Sequence, residues 1–370
     1  MKRFIARLAG CAVCIAAVTA GFSGCSGTKK TAQATAEQNS SDSFIVGFVF
    51  DGYINDGGWC YEQNRGRVAA EAAGIKTIYK ENVPATQECV KVIDDLINQG
   101  AKVIVGTTFG FMDYMLKAAA AHPDVIFLHC GGYKNSANLY TYLGRQYQSR
   151  FLCGLIAGSE TKTGKLGYIA AFSIPEVVRG INAYTLGAQI ANPDVQVIVR
   201  WTHTWYDPSI EKEAGKALLD EGCDILTEHE STAASLEPAE ESNLMTIGYT
   251  TDMSKTLPKS YLTSSGYNWA SFFVPAFKAM KAGTWEKANF WGGLETGVPV
   301  LPSYSDRVTD AGRQLVSEYT GKITGGSYKV FQGPVYDQEG KIRIAEGAAA
   351  GDGDLLSMNY FVRGVVGKVE

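Results

Sequence analysis

Between residues 44 and 248 the chain alternates short apolar runs with amphipathic stretches, and it does so twice. The first round opens on Phe44-Ile45-Val46-Gly47-Phe48-Val49-Phe50, an apolar run bounded by polar and glycine-containing sequence, which reads as a buried strand. A helix over 59–73, a strand over 76–79, a helix over 86–99, a strand over 103–107, a helix over 111–121 and a strand over 126–129 follow. The second round has strands over 165–170, 196–201, 224–227 and 245–248, separated by helices over 178–191, 209–221 and 233–242. Such alternation requires parallel sheets covered by helices, so the pattern predicts an α/β chain of two similar halves. Beyond Asp252 it predicts a strand over 261–264, helices over 268–282 and 306–321, and a hairpin over 334–344. In open parallel sheets ligands collect outside the carboxyl ends of the strands, and two such halves frame a cleft.

The start of the chain reads differently. Met1, Lys2, Arg3 and Arg7 precede an apolar stretch from Leu8 to Phe22 that is too short to span a bilayer, followed by Phe22-Ser23-Gly24-Cys25. Residues 1–24 are expected to be a signal peptide and Cys25 the lipidated first residue of the mature chain. Residues 26–42 contain no aromatic or large aliphatic side chain and are expected to be a flexible tether. Loss of Lys2, Arg3 and Arg7 moves the formal charge from −4 to −7 (34 − 3 basic against 38 acidic residues), which argues against nucleic acid as a partner. Cys60, Cys89, Cys130, Cys153 and Cys223 are left in the mature body, an odd number without a CxxC pair, so reduced cysteines are expected rather than disulfides or zinc. His129, His203 and His229 form no metal-binding spacing.

The strand exits carry the chemistry. After the first strand come Asp56-Gly57-Gly58-Trp59, after the third Thr108-Phe109-Gly110-Phe111, and after the fourth Gly131-Gly132-Tyr133. In the second half the exits hold Pro175-Glu176, Trp205-Tyr206-Asp207 and Tyr249-Thr250-Thr251-Asp252. Aromatics offered from both halves suit a flat heterocycle, at about 1–3 kcal/mol per stacked face, while carboxylates and amides suit its polar edge. The candidate ligand-binding residues are Asp56, Trp59, Phe109, Gly110, Glu176, Trp205, Asp252 and Asn268. Asp56 can equally cap the helix that follows, and the aromatics can equally be core. The stretch 158–165 lacks the spacing of a phosphate loop, and no GxGxxG follows the first strand. HExxH is absent, as is GxSxG from the mature chain. No catalytic residues, cofactor or metal are assigned.

The segments Asp56-Gly57-Gly58-Trp59, Glu81-Asn82-Val83-Pro84, Thr107-Thr108-Phe109-Gly110, Ile174 to Asn182, Thr204 to Pro208, Asp252-Met253-Ser254 and Asn268-Trp269 together resemble the basic membrane protein family of bacterial substrate-binding lipoproteins, which includes purine nucleoside receptors. The resemblance implies two Rossmann-like lobes in the type I periplasmic-binding-protein architecture, joined by three crossings. It also implies closure around a ligand and delivery to an ABC permease by a monomeric receptor that is not an enzyme. The expected first lobe is 43–131 with about 253–290, and the second is 132–252 with about 291–370. In purine-binding members, aromatics near Trp59 and Trp205 stack on the base and an acid matching Asp252 contacts its edge or sugar. Nucleoside receptors of the family carry a lysine where Tyr267-Asn268-Trp269 stands, a departure that favours a free base such as adenine. Riboflavin, bound by some relatives, is the alternative ligand, and a nucleoside-acting surface enzyme or ligand sensor is the alternative of a different class.

Overall fold

The computed structural model describes residues 44–370; the expected signal peptide, Cys25 and tether lie outside the described residues. In chain order the elements are β1 (Ile45–Val49), α1 (Trp59–Ala72), β2 (Lys76–Lys80), α2 (Gln87–Asn98), β3 (Ala101–Gly106), α3 (Met112–Ala121), β4 (Ile126–Cys130) and β5 (Leu139–Gly144). Next come α4 (Tyr147–Glu160), β6 (Lys165–Ala170), α5 (Pro175–Ala191), β7 (Gln196–Trp201), α6 (Pro208–Asp220), β8 (Ile225–His229), α7 (Glu237–Glu241), β9 (Met245–Thr250) and β10 (Tyr261–Tyr267). The remainder is α8 (Ala270–Lys281), β11 (Phe290–Gly292), β12 (Pro299–Val300), α9 (Asp310–Thr324), β13 (Val335–Tyr336), β14 (Ile342–Ile344), α10 (Asp352–Leu356) and β15 (Val365–Val366).

Two sheets organise these elements. The first runs β11-β5-β4-β3-β1-β2 with every pairing parallel. The second runs β12-β10-β9-β8-β6-β7-β15 and is parallel except where β12 lies antiparallel to β10. All five residues of β1 and of β8 are buried, as expected of central parallel strands covered on both faces. Helix starts follow the sequence: the Thr86 hydroxyl accepts from Glu88 N to open α2, and the Asp207 carboxylate accepts from Ser209 N and Ile210 N to open α6.

The chain passes between sheets three times, after β5, after β10 and between β11 and β12. The sequence-based division differs from the strand pairing in two places. The segment 253–290 is shared: α8 covers the first sheet, with Phe273 and Phe277 packed edge-on against Phe48, but β10 pairs with β9 in the second. The first sheet also continues past residue 131, because β5 pairs with β4, and it recruits β11 from near residue 291. Helix α4 was not predicted. It is buried around almost its whole circumference, so it shows no polar stripe to mark its period, and Gly154 and Gly158 interrupt its helix propensity.

Candidate ligand cleft

A cavity of about 590 Å³ opens between the two sheets, walled by first-lobe residues including Phe109 and Tyr133 and second-lobe residues including Glu176 and Arg179. Phe109 follows β3 and Tyr133 follows β4; both are exposed, and their rings tilt toward each other at 6.3 Å. Glu176 stands in the first turn of α5, which Pro175 opens. Burial raises its pKa, opposed by the charge of Arg179 and by the hydroxyl of Tyr267. Its neighbour one turn on, Arg179, is buried and donates to Leu355 O. No ion pair within 4 Å joins Glu176 to Arg179 among the described residues. The wall therefore offers flat apolar rings beside an acceptor and a cation, a combination suited to a planar molecule with a polar rim.

Of the eight candidates read from the sequence, Phe109 and Glu176 line this cavity and the other six do not. Asp56 acts as a cap: its carboxylate accepts from Gly58 N at 2.8 Å, Cys60 N at 3.0 Å and Tyr61 N at 2.9 Å, although burial raises its pKa. Trp59 is half-buried, donates its indole N–H to Thr107 O at 2.7 Å, and meets Tyr267 and Trp269 edge-on at 5.6 and 6.1 Å. Trp59 is thus held in this aromatic packing and does not form part of the cavity wall. Gly110 abuts Ala85. Trp205, 40% exposed, leans on Phe172 at 5.4 Å. The exposed Asp252 accepts from Ser254 N and Ser303 Oγ; these bonds outweigh the opposing effect of partial burial and hold its carboxyl below the usual range. Asn268 is exposed and donates to Ser271 Oγ.

Tyr133, Arg179 and Trp291 were not chosen from the sequence. Tyr133 lay in a strand exit already noted, and Arg179 lies three residues beyond Glu176, hence on the same helical face. Trp291 gave no signal, because the three-residue β11 finds its place only through pairing with β5.

The lobes also meet directly. Gly58, at the start of α1, lies so close to Ser231, just beyond β8, that a β-carbon at position 58 would overlap the Ser231 carbonyl oxygen. Ser231 N in turn donates to Trp205 O at 3.0 Å. All five described cysteines are free and buried, with no disulfide among the described residues, and no cluster of three or more metal-ligating side chains occurs among them.

Comparison with known proteins agrees with this architecture. Residues 44–324 match the family described as ABC transporter substrate-binding protein PnrA-like. The chain is 36% identical over 334 residues to a purine-binding protein of Brucella abortus, covering 90% of this chain and 95% of the relative. It is 33% identical to a protein of Haloferax volcanii named as an ABC transporter glucose-binding protein, covering 90% and 82%. Among solved structures, a solute-binding protein from Conexibacter woesei superposes with a TM-score of 0.65 at 21% identity, covering 77% of this chain and 98% of that one. One from Aeropyrum pernix superposes at 0.67 and 19% identity, covering 77% and 92%; at these identities the likeness speaks to the fold, that of ABC solute-binding proteins with the type I periplasmic architecture. With a family match spanning both lobes and a relative aligned along nine-tenths of its length, this chain belongs to the PnrA-like family of ABC transporter substrate-binding proteins.

Proposed function

We propose that the chain is an exported receptor, held to the extracytoplasmic face of a membrane by lipid on Cys25, that captures a purine base or nucleoside between its lobes and passes it to an ABC permease. A free base, adenine foremost, is the favoured ligand. The observation that carries the reading is the cavity shared by both lobes, where Phe109, Tyr133 and Trp291 supply aromatic surface next to Glu176. The purine-binding relative from Brucella abortus supports the ligand class. Tyr267 and Trp269, stacked at 4.6 Å behind Trp59, put an apolar wall where nucleoside receptors carry a lysine, which supports a base over a nucleoside. In this reading Phe109 stacks on the ring, Glu176 accepts from its N–H groups, Trp59 backs the wall, and Trp205 and Asp252 border the cleft on the second lobe. The receptor works as a monomer and leaves its ligand unchanged.

Calorimetric titration against adenine, hypoxanthine, guanine, their nucleosides, riboflavin and glucose tests the ligand. Adenine is expected to bind, and Phe109→Ala and Glu176→Gln are each expected to weaken binding by more than about 1 kcal/mol. Trp59→Ala is expected to weaken it as well. Heat with glucose or riboflavin alone would move the chain to the second reading, a receptor for a different ring. Nucleoside cleaved on incubation would make it an enzyme.

A further inference from the structure

The contact between Gly58 and Ser231 joins one lobe to the other through backbone atoms, and both sides are fixed. On the first lobe, Gly58 N donates to the Asp56 carboxylate at 2.8 Å and Gly58 O accepts from Glu62 N at 3.0 Å, so the glycine cannot withdraw without undoing the start of α1. On the second, Ser231 N is held by Trp205 O, the neighbouring Thr232 hydroxyl donates to the buried Glu211, and Ala234 N donates back to Thr232 Oγ1 at 3.1 Å. A β-carbon at position 58 would be driven into the Ser231 carbonyl, which is main chain and cannot rotate away as a flexible side chain could. Gly57, by contrast, has nothing within 4 Å of the same construction.

We infer that Gly58 is the positioning residue for lobe closure: the missing side chain lets the loop after β1 seat against the loop after β8, and this seat sets how much of the receptor is in its binding-competent form. The inference rests on the receptor reading above. It follows from linkage: if a side chain at position 58 reduces the closed fraction, apparent affinity falls in the same proportion even though no ligand-contacting residue has changed.

The test is small-angle X-ray scattering and purine dissociation kinetics on the wild type, Gly58→Ala and Gly58→Val, with thermal unfolding as the folding control. Both variants are expected to melt within a few degrees of the wild type. Gly58→Val is expected to show a larger radius of gyration than wild type with or without purine, no contraction on adding adenine, hypoxanthine or inosine, and purine dissociation at least tenfold faster. Gly58→Ala should move the same way by less, and it decides the matter if the valine variant fails to fold. Radii and dissociation rates equal to wild type in a folded variant overturn the inference. A wild type that binds none of the three purines overturns the purine reading alone, and the closure role is then judged on the ligand-free radii, where equality of variant and wild type rejects it.

Discussion

At the end of β8 two acids are sealed inside the second lobe. Burial pushes the Glu228 carboxyl up to about 8, with the charge of Arg150 opposing, and burial pushes Glu230 up to about 9 even though the Thr202 hydroxyl donates to it at 2.7 Å. The groups facing them are Arg150 from α4, Tyr168 from β6, Glu211 from α6 and the backbone of Tyr249 from β9. Their ordinary value is 4.5, so between there and about 9 the folded chain holds protons that the unfolded chain has released, and stability falls as pH rises. His129 acts on the other side: burial lowers it to about 4, so below its ordinary 6.5 the unfolded chain takes up the extra proton and stability falls with acid. The two windows overlap between 4.5 and 6.5, where the opposing slopes offset each other, and above 6.5 only the acids act, so the melting temperature is expected to fall from there toward about 9. Glu230→Gln should flatten the decline from pH 7 to 9, and melting curves of variant and wild type that run parallel over that range would refute this. At this scale the sequence was legible only in part. Of its eight candidates Phe109 and Glu176 line the cavity, since strand exits are where parallel sheets present side chains. Asp56 carried two readings, and the geometry shows a cap, since its oxygens accept from the amide of Gly58 and from those of Cys60 and Tyr61 in the first turn.

Among the elements, those with a periodic apolar face were legible and those without one were not. Helix α2 alternates buried Cys89, Val90, Ile93 and Leu96 with exposed charge and announces itself. Helix α4 is enclosed by α5, α9 and the second sheet, and its helical period leaves no polar trace. Strand β10 was legible as a strand, but its seven buried residues suit any interior position, so its neighbour could not be read from pattern. The α4–α5 contact is close because both helices are bare where they cross: a β-carbon at Gly154 would overlap Tyr184 O, and one at Gly187 would overlap Phe151 O. Gly154→Leu is therefore expected to destabilise the chain by about 1–3 kcal/mol in denaturant unfolding. Gly321→Ala in α9, with nothing within 4 Å, should leave the midpoint unchanged or slightly raised. Equal midpoints for Gly154→Leu and wild type would show that the helices can part freely.

For the whole molecule, the two-lobed architecture follows from the doubled α/β pattern and the family from the motifs at the strand exits, while the anchoring proposal depends on residues outside the described body. Among the described residues no helix is long and apolar enough to cross a membrane, so attachment in this scheme depends on Cys25. Cys25→Ala is expected to shift the protein from the membrane fraction to the soluble extracytoplasmic fraction with ligand affinity intact; retention of the variant on membranes would refute lipid anchoring at this position. The order in which the lobes are built also matters. Phe48, on β1 inside the first sheet, is covered by Phe273 and Phe277 of α8, a helix made only after β6 to β10 have been synthesised. A nascent chain that has reached Gly144 thus has most strands of its first lobe but not the helix that shields them. Such a chain cannot complete its first lobe until α8 has been made, and under the export proposal a translocase that threads unfolded polypeptide would meet it before that point.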